Sequence, residues 1–132
     1  MDSLSIVAYV AGMKATRRRD DLVPLKSDVL LILLALASRP QHGYGIIRDV
    51  EERSFGETVL QTGALYRTLR RLLGDRLIEE CESPDEATGD ERRRYYRLTR
   101  LGHSVLNAEV ERMSRLVRAA RLTDAGKRPR LA

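Results

Sequence analysis

The sequence is poor in the residues that build covalent staples, metal centres and aromatic pockets. Its single cysteine, Cys81, leaves no intramolecular disulfide to form, and a reducing cytoplasm is the expected compartment. Two distant histidines, His42 and His103, cannot assemble a metal site with that one cysteine, and both read as structural or surface residues. Tryptophan is absent and aromatics make up 5% of the chain, which argues against a pocket built on aromatic stacking. No apolar run approaches the roughly 18 residues of a membrane-spanning helix. No Ser/His/Asp set, Cys/His pair or glycine-rich phosphate loop is present, so an enzyme is close to excluded and no cofactor is expected.

What is present is 132 residues, room for one compact domain with a real core. The net charge of +5 is unevenly placed. Residues 1–60 hold eight basic and eight acidic side chains, and residues 61–132 hold sixteen and eleven. A basic second half suits a polyanion, whose condensed counterions are released on contact. An acidic membrane surface would fit charge alone equally well.

Residues 1–13 are mildly apolar, but their positive cluster (Lys14, Arg17, Arg18, Arg19) follows the segment, whereas a signal peptide carries its charge in front. Two readings stand: a short helix packing on a partner, or an untranslated stretch before a start at Met13. Residues 14–26 read as a basic linker. Ser27 or Asp28 then caps Val29–Ala37, apolar all round and too short for a membrane, hence a central buried helix. Arg39-Pro40 stops it. A second helix runs from about Gly43 to Arg53, with Tyr44, Ile47 and Val50 inward and Asp49, Glu51 and Glu52 toward water.

The third helix, Gln61–Leu73, organises the rest. Leu65, Leu69, Leu72 and Leu73 form one apolar stripe at helical spacing. Opposite lie Gly63, Arg67, Arg70 and Arg71, with Ala64 and Tyr66 on the flanks and no acidic residue among them. Thr62 stands at the N-cap position, and Gly74-Asp75 ends the helix, with glycine suited to the left-handed C′ position. Small residues near the start of such a helix allow close approach to a DNA major groove, and arginines reach phosphates or guanine edges. A plain solvated amphipathic helix would show the same pattern on this segment alone.

Leu77–Glu82 and Arg92–Leu98 then read as two short strands around a turn-rich loop, with Ile78, Tyr96 and Leu98 on one face. Helix, helix, basic helix and hairpin together describe a winged helix-turn-helix. The fold class is therefore mostly α, with a small β component (α+β). Thr99 caps a last helix reaching about Leu122, on which Leu101 and Val105 pack against the body. Leu106, Val110, Met113, Val117 and Ala120 follow at a 4-3-4-3 spacing. That stripe reads as a dimerisation seam, the alternative being a helix folded back on its own domain. The domain plan is residues 1–26 as N-terminal segment and linker, 27–98 as DNA-binding unit, 99–122 as dimerisation helix and 123–132 as a disordered basic tail.

These residues carry a resemblance. Leu30–Ile47 (LLILLALASRPQHGYGII), Thr62–Glu80 (TGALYRTLRRLLGDRLIEE) and Arg92–Gly102 (RRRYYRLTRLG) resemble the PadR family of bacterial transcriptional regulators, in its smaller branch with a single C-terminal helix. The resemblance implies a homodimeric repressor on a pseudo-palindromic operator, and members of the family commonly answer to small aromatic or amphipathic effectors, or to none that is known. It would place Thr62, Gly63, Ala64, Tyr66, Arg67 and Arg70 on the recognition helix, with Tyr44 bracing that helix or touching a phosphate. Arg92, Arg93 and Arg94 would be wing contacts to phosphates, with Arg71 a further one. The acidic wing tip (Asp85, Glu86, Asp90, Glu91) would be repelled from a minor groove. It reads either as a loop held outside while the arginines at its base reach the backbone, or as a salt-bridged loop with no DNA role. The expected partners are double-stranded DNA, a second copy of the chain and an effector of unspecified identity, with no membrane and no metal. A protein-binding winged-helix module without sequence-specific DNA binding is the competing reading.

Overall fold

The computed structural model describes residues 19–84 and 94–123. Among them, a 3₁₀ turn (Arg19–Leu22) precedes α1 (Ser27–Ser38), β1 (Gln41–His42), α2 (Gly43–Arg53), α3 (Thr62–Gly74), β2 (Ile78–Cys81), β3 (Tyr95–Leu98) and α4 (Arg100–Arg121). The strands form one antiparallel sheet in the order β1-β3-β2. In it Ile78 lies opposite Leu98, Glu80 opposite Tyr96, and Gln41 opposite Tyr96 from the other side. Residues 1–18, the wing tip with Arg92 and Arg93, and the tail from Asp124 lie outside the described residues.

α1 starts at Ser27, and the cap is Lys26, whose side chain makes no capping bond. Asp28 instead accepts from the Val29 N–H at 2.8 Å. The nine-residue apolar run is not buried all round. Val29, Ile32, Leu33, Ala35 and Leu36 enter the core, while Leu30, Leu31 and Leu34 are only partly covered and Ala37 is exposed. Arg39, before Pro40, is extended, as steric contact with the proline ring requires, and the helix ends there.

β1 was not legible in the sequence. It pairs with β3 and thereby sets the phase of α2, so that Ile46 and Val50 are buried while Tyr44 is 64% exposed. This corrects the expected inward Tyr44. His42 caps α2 with its Nδ1 accepting from the Gly45 N–H at 3.0 Å, and its ring meets Tyr95 edge-on. Asp49, expected in water, accepts from Arg53 at 2.8 Å and from Gln41 at 3.0 Å. Gln41 is itself buried and also donates to the Ala35 carbonyl, tying α1, β1 and α2 together.

α2 and α3 end alike. The Phe55 N–H donates to the Glu52 carbonyl and the Gly56 N–H to that of Glu51; the Arg76 N–H donates to Leu73 and the Leu77 N–H to Leu72. Each is a Schellman closure, and its left-handed position is held by Phe55 (φ 55°) and Arg76 (φ 60°). Gly74, expected in that role, is the last residue of the helix proper. Leu72 and Leu77, joined by the second closure, are both buried.

The core is one cluster running from Ile32 and Leu33 through Ile46, Val50, Leu65 and Leu69 to Ile78, Tyr96 and Val105. Each fully buried aliphatic side chain contributes about 1.5–3 kcal/mol. Leu106 belongs to this cluster at 5% exposure, which removes it from the expected dimerisation seam: it sits one turn too early and faces the domain body. Gly102 makes the closest backbone approach, since a Cβ there would stand 2.0 Å from the Leu77 carbonyl oxygen. Thr99 caps α4, its Oγ1 accepting from the Gly102 N–H at 3.0 Å.

Candidate nucleic-acid interface

α3 presents its outer face because Leu65, Leu69 and Leu72 anchor the inner one, each at most 2% exposed. Thr62 is the first helical residue and not the cap, which is Gln61 and makes no side-chain bond. The first-turn N–H groups of α3 are therefore left without that side-chain partner. Thr62, Gly63, Arg67 and Arg70 are exposed together and Ala64 is half-buried beside them. The Arg67 guanidinium folds back toward the start of the helix, its Nη1 3.6 Å from where a Cβ on Gly63 would sit. Gly63 thus leaves the approach to the helix start open, and Arg67 lies beside it at ordinary contact distance.

Not every expected residue joins this face. Arg71 turns aside to line a hollow of about 200 Å³ with Asp21, Leu25, Lys26 and Asp75. Arg94 stands at the base of the wing, 3.5 Å from Glu80, and Arg97 pairs with Glu79 at 2.8 Å. These are exposed pairs of small energetic value, but Glu80 offsets part of the charge Arg94 would offer a phosphate. Tyr44 projects from the first turn of α2 into a polar hollow of about 420 Å³ shared with Arg39, His42, Arg48, Asp49 and Glu52. Arg39 and Arg48 were missed in the sequence because nothing in their spacing ties them to Tyr44; β1 and the first turns of α2 bring them together. Hydrogen bonds from Arg53 and Gln41 hold the Asp49 carboxyl below its usual range, outweighing the larger single effect of burial, which acts to raise it.

The second exposed feature is apolar. Val110, Met113, Leu116 and Val117 on α4 are 39–56% exposed. With Leu30 and Leu34 of α1, three of them (Val110, Met113 and Val117) line a hollow of about 540 Å³ rimmed by Arg118 and Arg121. Ala120, the last expected seam residue, is exposed on the same helix. No helix among the described residues is long and apolar enough to cross a membrane.

Comparison with known proteins bears on this arrangement. The model of the PadR-like transcriptional regulator family matches residues 32–108, from the core of α1 into α4. The chain belongs to that family. The PadR family regulator of Clostridium difficile R20291 is 26% identical, with a TM-score of 0.62 over 74% of this chain and 97% of that one. A complex structure of hsRosR-S4 is also 26% identical, with a TM-score of 0.61 over 75% and 79%. A PadR-like regulator from Bacillus cereus, at 19% identity and a TM-score of 0.58, shares the fold. A curated protein of a Streptomyces fradiae transposon is 38% identical over 87 residues, and the chain spans 23% of its length. The fold is the winged helix of this family of transcriptional regulators, with α2 and α3 in the place of the helix-turn-helix and β2–β3 in the place of the wing.

Proposed function

We propose that this PadR-family protein is a cytoplasmic, homodimeric repressor that binds a pseudo-palindromic operator and is released by a small-molecule effector. Residues 27–98 form its DNA-binding unit and residues 99–122 its dimerisation helix. The observation that carries the DNA reading is the outer face of α3, where Thr62, Gly63, Arg67 and Arg70 are exposed with no carboxylate among them. Backbone contacts position such a protein and base contacts give it specificity. Arg67, reaching toward the helix start, is the base reader, and Arg70 with the wing-base arginines serves phosphates. The exposed stripe Val110–Met113–Val117 supports the dimer: a monomer that left it in water would carry a contiguous apolar patch of the kind that marks interfaces. The hollow that these same residues line with Leu30 and Leu34 offers an apolar site for an effector at the edge of the dimer seam.

The test is an operator scan with Arg67→Ala. The variant is expected to lose discrimination at one base pair per half-site, worth about 1–3 kcal/mol, at an unchanged salt slope. Unchanged affinity and specificity would remove Arg67 from the base-reading role.

A further inference from the structure

We infer that Tyr66 is a positioning residue, holding the recognition helix against the start of α2, and that Gly43 exists to admit it. The inference rests on the DNA-binding reading above. Tyr66 lies on the flank of α3, between the buried leucines and the exposed arginines, and is 43% exposed. Its phenol is turned back onto the domain. A Cβ on Gly43 would stand 2.6 Å from the Tyr66 hydroxyl oxygen and 3.0 Å from Cζ, so the end of the ring rests directly over the Gly43 backbone. Gly43 is buried in the first turn of α2.

One phenol therefore rests on the start of α2, while its backbone belongs to α3. A side chain in that place fixes how far α3 is rotated relative to α2. A hydroxyl directed at Gly43 is not directed at a base edge, whereas Arg67, one residue on, is exposed beside Gly63 at the helix start. The contact joins two segments far apart in sequence, His42–Tyr44 and Gly63–Arg67.

The test is a double-mutant cycle of Gly43→Ala and Tyr66→Ala, with Tyr66→Phe as the conservative variant. The probes are a duplex from the region upstream of the protein's own gene and a scrambled duplex, read by fluorescence anisotropy at two salt concentrations. Each alanine variant should weaken binding to the upstream duplex about tenfold without changing the salt slope. The double variant should bind no more weakly than Tyr66→Ala alone, because both break one contact, and Tyr66→Phe should recover most of the loss. Additive losses would overturn the inference, as would a Tyr66→Ala loss confined to one base pair with Gly43→Ala binding like the parent. If the parent fails to distinguish the two duplexes, the DNA reading falls. The same cycle in thermal midpoints then decides the brace: non-additive shifts support it and additive ones refute it.

Discussion

α3 and the second half of α4 are written in the same way, yet they meet different fates. Each is an arginine-rich helix with an apolar stripe at helical spacing. In α3 the stripe of Leu65, Leu69 and Leu72 is sealed, whereas in α4 Val110, Met113 and Val117 remain 39–49% exposed. The difference lies in the neighbours. α3 is covered by α2 and is followed by the wing, while α4 runs past the end of the domain body once Val105, Leu106 and Glu109 have been buried. In the proposed reading, the arginines opposite the sealed stripe meet DNA, and the open stripe meets a second copy of the chain.

The sharpest way to break this comparison is to cut one leucine and one seam residue. Leu69→Ala should lower unfolding free energy by about 2–5 kcal/mol, since it opens a cavity in a closed core. Val117→Lys should leave the chemical-denaturation midpoint of the monomer nearly unchanged and shift sedimentation from dimer to monomer. Equal destabilisation by both would mean that the α4 stripe is folded onto its own domain.

Next in size is Gly102→Ala, at the point where α4 is pressed to the body. The added methyl would meet the Leu77 backbone oxygen at 2.0 Å, and backbone cannot move aside as a side-chain end does. A loss of about 3 kcal/mol, measured by urea unfolding, is expected.

Glu109 marks the boundary between the two halves of α4. It is 1% exposed and accepts from the Arg112 guanidinium and from the Leu25 backbone N–H, tying the segment before α1 to α4. The Arg112 hydrogen bond, aided by that of Leu25 and opposed by burial, holds its carboxyl below the usual range. A lowered folded-state pKa stabilises above the unfolded value, about 4.3, and that stability is lost as pH falls through the lower folded value. The parent should therefore lose stability steeply in the acid limb. Glu109→Gln should be less stable at neutral pH and show a flatter acid limb in urea midpoints against pH.

The smallest effect has the opposite sign. Arg76 carries a left-handed backbone (φ 60°) at the end of α3, so Arg76→Gly should stabilise by about 1 kcal/mol in thermal unfolding.

The legible parts of the molecule were those with a local period. The leucine stripe of α3, the wing strands and the Thr99 cap follow from spacing alone. Spacing could not say which copy of the chain would cover a stripe, so Leu106 read as seam although it is core. β1 is two residues long, too short to alternate, and without it the phase of α2 pointed Tyr44 inward in place of Ile46. Gln41 and Glu109 are buried polar residues satisfied across long sequence distances, and their residue types suggest surface. The proximity of the Tyr66 hydroxyl to Gly43 was not legible either, because a helical wheel shows the flank on which a ring sits and not the direction in which it turns.

The most direct measurement is fluorescence anisotropy of the intact protein against its own upstream duplex and a scrambled one at two salt concentrations. Tight binding to the upstream duplex that survives the higher salt is expected, with weak, salt-sensitive binding to the scrambled one. Equal, salt-sensitive binding to both, or binding to neither, would contradict it.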